Sequence, residues 1–581
     1  MSIFNLISMI GGLTFFLYGM NVMSSSLEKM AGGKLESGLK KVTANRFMGL
    51  LLGVGITAAI QSSSAVTVML VGLVNSGIMT IRQSISVIMG SNIGTTMTAW
   101  ILTLVGVESD NFWMKLLKPE NFSLAFAFIG ILLIMGSKST KKKDVGGILV
   151  GFAVLMYGMK LMSGAVKPLA NSPAFTSLFT AFQNPLLGVL VGLVVTAVIQ
   201  SSSASVGILQ ALALTGSVSY GAAIPIIMGQ NIGTCVTAMI SSMGVSKNAK
   251  KVAVIHVAFN LIGTVFCLLL YTAGNAIFRF AFVEQPIDAV GIATIHTLFN
   301  VFTVALLLPF TRQLEKLANR VLPDSKAEER PLLDVRLMAT PSVAIAECDA
   351  LAVKMSGVAR QTLLGAMSLL TRYDKAKAEQ ILEWEKELDR YEDTLGTYLV
   401  QLSSQRLSDK DSVKVSKILH SIGDFERLGD HAVNLMEAAQ ELHDKKLAFS
   451  ENARQELGVL TGAIEEILQV TNDCYENNDA EAAHKTEPIE QCVDDLVAAI
   501  KARHIRRLQA GECSIELGFI LSDVLNNFER ISDHCSNIAV TVIELAHHTL
   551  DAHQYLRDLR KDDEDYSQML RQYARKYKLG E

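Results

Sequence analysis

Acidic residues are missing from two long stretches of this 581-residue chain, 38 to 107 and 145 to 283. Proline is scarce at 11 residues, and the seven cysteines form neither a CxxC pair nor a Cys/His set with metal-ligand spacing. No P-loop or dinucleotide-binding glycine pattern occurs, and no His/Asp arrangement stands beside the serine clusters described below. These gaps argue against an enzyme. A net charge of −4 with no basic stripe argues against nucleic acid as a partner. The dispersed cysteines read as small apolar residues kept reduced, which puts the soluble part of the chain in the cytoplasm.

What is present divides into two unlike halves. Residues 1 to 310 are rich in Gly, Leu, Ile, Val and Met, whereas the remainder is rich in Glu, Lys, Asp and Arg with helical periodicity. Apolar runs near 4–22, 84–105, 121–136, 145–161, 222–243, 252–272 and 290–310 are mostly long enough to cross a bilayer as helices. The first lacks a basic leader and a small-residue cleavage pattern, so it reads as a retained span. Two further apolar regions, 47–76 and 185–217, are each interrupted by Gln-Ser-Ser-Ser, at 61–64 and 200–203. Each piece is short for a full crossing, and a hairpin that enters and leaves on one side fits better.

Residues 53–101 align without a gap on 192–240, with 23 of 49 positions identical. The match includes Gln61/Gln200, all three serines, and "MGSNIGTTMT" (89–98) against "MGQNIGTCVT" (228–237). Placing the Lys-rich loop 24–46 inside also puts "KSTKKK" (138–143) and "SKNAKK" (246–251) inside. Three crossings then separate equivalent points, so the two repeats are inverted, an arrangement typical of secondary transporters. The expected fold is all-α: a polytopic membrane domain of two inverted repeats (about 1–136 and 143–272) with re-entrant hairpins, and a final span at 290–310.

A hydroxyl or amide buried in hydrocarbon costs several kcal/mol if unsatisfied, on the order of the transfer cost of a polar group. Such groups therefore face a cavity or a partner. Helix N-termini at the two hairpin tips offer N–H groups and a positive dipole end to an oxyanion. Serine hydroxyls add donors, while Gln, Thr and Asn oxygens suit a small hard cation. With no acid in these stretches, a coupling cation must use neutral oxygens. "HVAFN" (256–260) and "HTLFN" (296–300) read as helix packing or capping.

The duplicated Gln-Ser-Ser-Ser followed by Asn-Ile-Gly-Thr resembles the type II sodium–phosphate cotransporter family over residues 1–310. The resemblance implies Na⁺-coupled phosphate translocation, with phosphate held by Ser62, Ser63, Ser64, Ser201, Ser202 and Ser203. It assigns Na⁺ to oxygens among Gln61, Gln200, Asn92, Thr95, Thr98, Asn231, Thr234 and Thr237. The acid-free stretches leave no place for the extra membrane aspartate of electrogenic animal members, which points to electroneutral coupling. The large extracellular loop of those members is also missing between the repeats.

After a connector at 311–342, residues 343–581 read as long amphipathic helices with their own duplication. "DFERLGDHAVNL" (424–435) matches "NFERISDHCSNI" (527–538), giving Glu426/Asp430 and Glu529/Asp533 at helical spacing. Upstream stand the acid pairs Glu385/Asp389 and Glu490/Asp494. Four carboxylates from two adjacent helices suit a divalent metal, against a solvated acidic face neutralised by Arg427 and Arg530. These motifs resemble the tandem three-helix repeats of the PhoU family. That resemblance implies two bundles, one metal cluster in each, and a regulatory role through a cytoplasmic partner or a homo-oligomer. The expectation is therefore a sodium-coupled phosphate symporter of a bacterial inner membrane, multi-pass, with a cytoplasmic regulatory domain. A phosphate exporter and a membrane-bound phosphate sensor are the alternatives.

Overall fold

A computed structural model describes residues 3–41, 45–106, 119–168, 182, 184–323, 331–405, 407–547 and 564–580. The chain forms two compact units, Met1–Ala344 and Ile345–Glu581. The described residues are helical throughout, apart from one isolated antiparallel bridge between Ser219 and Pro286.

The first unit carries six stretches long and apolar enough to cross a membrane: Ile3–Met30, Ile81–Leu102, Thr140–Val166, Tyr220–Ser241, Lys247–Phe278 and Ala289–Val321. Its helices are α1 (Ile3–Lys41), α2 (Arg46–Ile60), α3 (Ser63–Asn75), α4 (Ile81–Leu102), α5 (Pro119–Gly136) and α6 (Thr140–Val166). Then come α7 (Pro185–Ile199), α8 (Ser202–Ala213), α9 (Tyr220–Ser241), α10 (Lys247–Phe278), α11 (Ala289–Leu307) and α12 (Thr311–Val321). Helix α5, expected as a span, is apolar but shorter than those six stretches. The two interrupted apolar regions become the short pairs α2–α3 and α7–α8, 15 and 13 residues in the first and 15 and 12 in the second.

Local signals set these boundaries. Asn45 and Asn184 cap α2 and α7 through their side-chain oxygens, and Pro185 occupies the first turn of α7, where a missing N–H costs nothing. Thr80 and Gln83 form a reciprocal capping box at α4. Close packing relies on glycine. A Cβ on Gly90 would overlap the Leu50 carbonyl, and one on Gly229 would overlap that of Val189, so α4 lies against α2 as α9 lies against α7. Helices α1 and α6 meet through four glycines: Gly12 opposes Gly158, and Gly19 opposes Gly151. Those contacts run in opposite sequence directions, so the first helices of the two repeats cross antiparallel.

The second unit contains all but the first four residues of α13 (Pro341–Thr371), with α14 (Lys375–Ser403) and α15 (Asp409–Asp444), then α16 (Glu451–Asn477), α17 (Thr486–Gln509) and α18 (Ile515–His547). A further helix, α19 (Glu564–Lys576), is followed by Tyr577, whose hydroxyl bonds the Gly462 carbonyl on α16 at 3.1 Å. None of the described helices here is long and apolar enough to cross a membrane. Two sets of three helices meet where α15 crosses α18, and repeat-related residues trade contacts there. His431 Nδ1 lies 2.8 Å from Asn527 Oδ1, and His534 Nδ1 lies 2.8 Å from Asp424 Oδ1. Lys417 is buried in the first set, donating to Asn478 Oδ1 (2.6 Å) and the Tyr475 carbonyl (3.2 Å), 3.5 Å from Asp349.

Candidate substrate-binding site

Both Gln-Ser-Ser-Ser segments break a helix in the same way. Gln61 takes left-handed backbone angles (φ 58°, ψ 23°), and Gln200 repeats them at 59° and 23°. A non-glycine residue held there costs about 1–3 kcal/mol, and such strain gathers at functional sites. Each glutamine N–H still closes the preceding helix, 2.7 Å from the carbonyls of Thr57 and Thr196. The next residue then starts a new helix: Ser62 Oγ accepts from Ala65 N at 3.2 Å, and Ser201 Oγ from Ala204 N at 3.2 Å. The amide groups of Ser63 and Ser64, and of Ser202 and Ser203, fall in first turns with no intrahelical acceptor. Ser63, Ser202 and Ser203 are buried, while Ser62, Ser64 and Ser201 are half-buried. Two helix starts of identical build can thus each present amides, hydroxyls and a positive dipole end to an anion.

Around the first tip most of the polar side chains have partners. Gln61 is buried, accepts from Thr98 Oγ1 at 2.7 Å and donates to the Ala58 carbonyl at 2.5 Å. Thr57 donates to Ser91 Oγ at 2.8 Å, and the Ser24 hydroxyl of α1 donates to the Ile60 carbonyl. Thr95 bonds back to the Ser91 carbonyl at 3.0 Å, and Asn92 is buried with its amide nitrogen unpartnered.

The second tip differs. Gln200 is exposed, and Thr237, which stands where Thr98 does, is buried at its hydroxyl without a partner. Thr196 Oγ1 and Gln230 Oε1, the counterparts of the bonded Thr57 and Ser91, are also buried and unpartnered, as are Ser205 Oγ and Gln210 Oε1. Gln210 anchors through its nitrogen instead, to the carbonyls of Ala99 (3.1 Å) and Ala289 (3.0 Å). Asn231 and Thr234 are buried and bond back along α9 to Ile227 and Gln230. An unpartnered buried acceptor costs about 1–3 kcal/mol, so the second half holds a set of neutral oxygens short of a donor or a cation.

Thr57, Ser91, Thr196 and Gln230 are absent from the sequence-derived site. The identity of Thr57 and Thr196, one turn ahead of each glutamine, is the signal that marks them.

In the second unit, acidic residues expected to hold a metal stand in ion pairs with protein cations. Among the described residues, no three or more His, Cys, Asp or Glu side chains come together as a metal-holding group. Glu385, Asp389, Glu426 and Asp430 do share a neighbourhood. Burial raises the Glu385 carboxyl above its ordinary value, with Asp389 and Asp430 adding to it, and burial followed by Asp430 does the same to Glu426. Protein cations stand beside four of the acids. Arg427 reaches Asp430 (3.3 Å) and Glu426 (3.7 Å), Arg530 reaches Asp533 (3.5 Å), and Lys501 reaches Glu529 (3.3 Å). Glu490 and Asp494 join no metal-holding group either. Arg427 and Arg530 are the cations that a solvated acidic face called for; Lys501 is the one that helical spacing does not reveal.

Residues 15–164 and 154–291 match the Na⁺/Pi-cotransporter family, and residues 352–439 and 460–542 match the PhoU domain. YqeW of Bacillus subtilis, described as uncharacterized, is 31% identical over 322 residues, 55% of this chain and 98% of that protein. The "Putative inorganic phosphate export protein YjbB" of Salmonella typhimurium is 21% identical over 550 residues, 93% of this chain and 97% of that one. The human "Sodium-dependent phosphate transport protein 2B" is 31% identical over 133 residues, 22% of this chain and 19% of that protein. With both repeats of its first unit matched, and both halves of its second, the chain belongs to the Na⁺/Pi-cotransporter family and carries a PhoU domain.

Proposed function

We propose that the protein is a sodium-coupled phosphate symporter whose phosphate lies between the helix starts at Ser62 and Ser201. It is a multi-pass membrane transporter and not an enzyme. The observation that carries the site is the repetition, to within a degree in φ, of a left-handed glutamine followed at once by a serine-capped helix. Ser62, Ser63 and Ser64 with Ser201, Ser202 and Ser203 supply donors to the phosphate oxygens. The oxygens of Gln61, Thr98, Asn92 and Thr95, and of Gln200, Thr237, Asn231 and Thr234, supply sodium, joined by Thr196 and Gln230. Their shortage of partners around the second tip supports a cation there. The antiparallel crossing of α1 and α6 supports repeats of opposite orientation, which alternating access requires. The basic loops support a cytoplasmic side for the PhoU domain, which we read as a regulator at a bacterial inner membrane.

Labelled phosphate flux in proteoliposomes, with and without an imposed Na⁺ gradient, tests this reading. Uptake driven by inward Na⁺ is expected, and flux indifferent to Na⁺ in both directions would refute the coupling. Similarity to YjbB along most of its length favours one alternative, net export. That reading requires outward flux under physiological gradients, which the same vesicles measure.

A further inference from the structure

The stretch between the last membrane helix and the PhoU domain is built into the transport unit. Asp334 is almost wholly buried and accepts from Asn75 Nδ2, at the end of α3, at 2.6 Å. Asn75 Oδ1 in turn accepts from Ser246 N, in the turn joining α9 to α10, at 3.0 Å. Arg336 donates to the carbonyls of Ser241 (2.7 Å) and Met243 (2.9 Å), which close the C-terminal end of α9, and pairs with Asp334 at 3.2 Å. Leu337 is fully buried against Gly72, where a Cβ would stand 2.9 Å from its Cδ2. This segment therefore ties together the far ends of two helices that carry the site: α3, which opens at Ser63, and α9, which bears Asn231, Thr234 and Thr237.

The repeat supplies an internal comparison. Leu214 stands in the second repeat where Asn75 stands in the first, and it borders an open cavity of about 880 Å³, also lined by Ala213, Gly216 and Pro286. Asn75 is thus clasped by a side-chain network, whereas Leu214 faces a cavity and the loop after it is held by backbone bonds to residues 285–287, Ile287 N to the Val218 carbonyl at 2.8 Å and Tyr220 N to the Gln285 carbonyl at 3.1 Å. A buried, charge-assisted clasp of this kind holds one arrangement and resists another.

We propose that residues 334–339 are a latch that holds the first hairpin shut, and that it must release once in each transport cycle. Thr340 alone separates the latch from α13, the helix that leads into the PhoU domain, so that domain can set the latch through the chain. The proposal rests on the transporter reading above.

The test uses the full-length protein with its seven cysteines replaced and Asn75→Cys/Asp334→Cys introduced, reconstituted in proteoliposomes. Bridging the two thiols, verified by mass spectrometry, is expected to reduce phosphate flux to the level of protein-free vesicles, and reduction to restore it. Unchanged flux in the bridged protein overturns the latch. A second measurement does not depend on flux: maleimide labelling of Ser76→Cys alone, in the same background, which leaves the bond between Asn75 and Asp334 in place. Labelling should accelerate when inorganic phosphate and Na⁺ are added together, and a rate unmoved by both overturns the proposal. Loss of flux in the unaltered protein would count instead against the transporter reading.

Discussion

Replacing Ser62 by alanine removes two things at once, and their sizes differ enough to separate. The Ser62 hydroxyl caps α3 through Ala65 N at 3.2 Å, and losing an N-cap costs about 0.5–2 kcal/mol of stability. If the same residue also serves the anion, a hydrogen bond to a charged group is lost, worth about 1.5–3 kcal/mol. At 1.4 kcal/mol per tenfold, that raises the phosphate KM by roughly 10- to 100-fold. Ser62→Gly sharpens the contrast, because glycine at an N-cap costs only a few tenths of a kcal/mol. It should therefore restore thermal stability while leaving the KM high. Ser201→Ala and Ser201→Gly should repeat both effects, since Ser201 caps α8 through Ala204 N at the same 3.2 Å. The assay is phosphate uptake at saturating Na⁺ beside thermal unfolding of the same preparations. Wild-type KM in both alanine variants, with lowered stability, would reduce the serines to caps and remove the paired site.

Three further outcomes follow from the structure. Thr196→Val is nearly isosteric and deletes a buried hydroxyl without a partner; it should stabilise the sodium-free protein by about 1–3 kcal/mol and shrink the rise in Tm that Na⁺ produces. An undiminished sodium shift would remove Thr196 from the cation site. Burial and then Asp430 raise the Glu426 carboxyl above its usual 4.5, so the folded protein holds that proton more tightly than the unfolded chain. Stability from this group is present below pH 4.5 and is lost as pH rises through the folded value. Glu426→Gln should accordingly flatten the pH dependence of PhoU-domain unfolding above pH 4.5, and an unchanged profile would contradict the assignment. Lys417→Met strands the acceptors at Asn478 and the Tyr475 carbonyl and should destabilise that domain by about 1–3 kcal/mol, seen as a lower denaturation midpoint.

Duplication made the membrane site legible. The second copy of Gln-Ser-Ser-Ser turned an oddity of one apolar run into a position in a repeated design, and both copies fold into the same left-handed break. The alternation of apolar runs and basic loops likewise carried the all-helical membrane architecture. The latch was not legible, because its central bond joins Asn75 to Asp334 across 259 residues, and no local pattern reports such a pairing. A stretch holding prolines between two domains reads as a connector whether or not it is buried. The acidic clusters of the PhoU domain were legible only in part. Spacing of four placed Glu426 and Asp430 on one face correctly, yet whether a metal or Arg427 answers that charge depends on where a long, flexible side chain settles.

Identical residues in the two repeats also do unlike things, and that difference bears on mechanism. Gln61 is buried and bonded to Thr98, whereas Gln200 is exposed and Thr237 is left without a partner. Sequence symmetry cannot encode this, since both pairs are Gln and Thr at the same spacing. Each pair has the residues to close as the first has closed, although Ser91, which bonds Thr57, is replaced by Gln230 beside the second. If the repeats are inverted as proposed, either half could adopt the satisfied arrangement, but not both at once. On this basis Thr98→Val, which strips Gln61 of its donor, should shift the protein away from the arrangement described here. Thr237→Val should leave that arrangement populated and hinder its exchange. Comparing cysteine accessibility at position 200 in the two variants would decide the matter, and equal accessibility would show that the asymmetry is no part of the cycle.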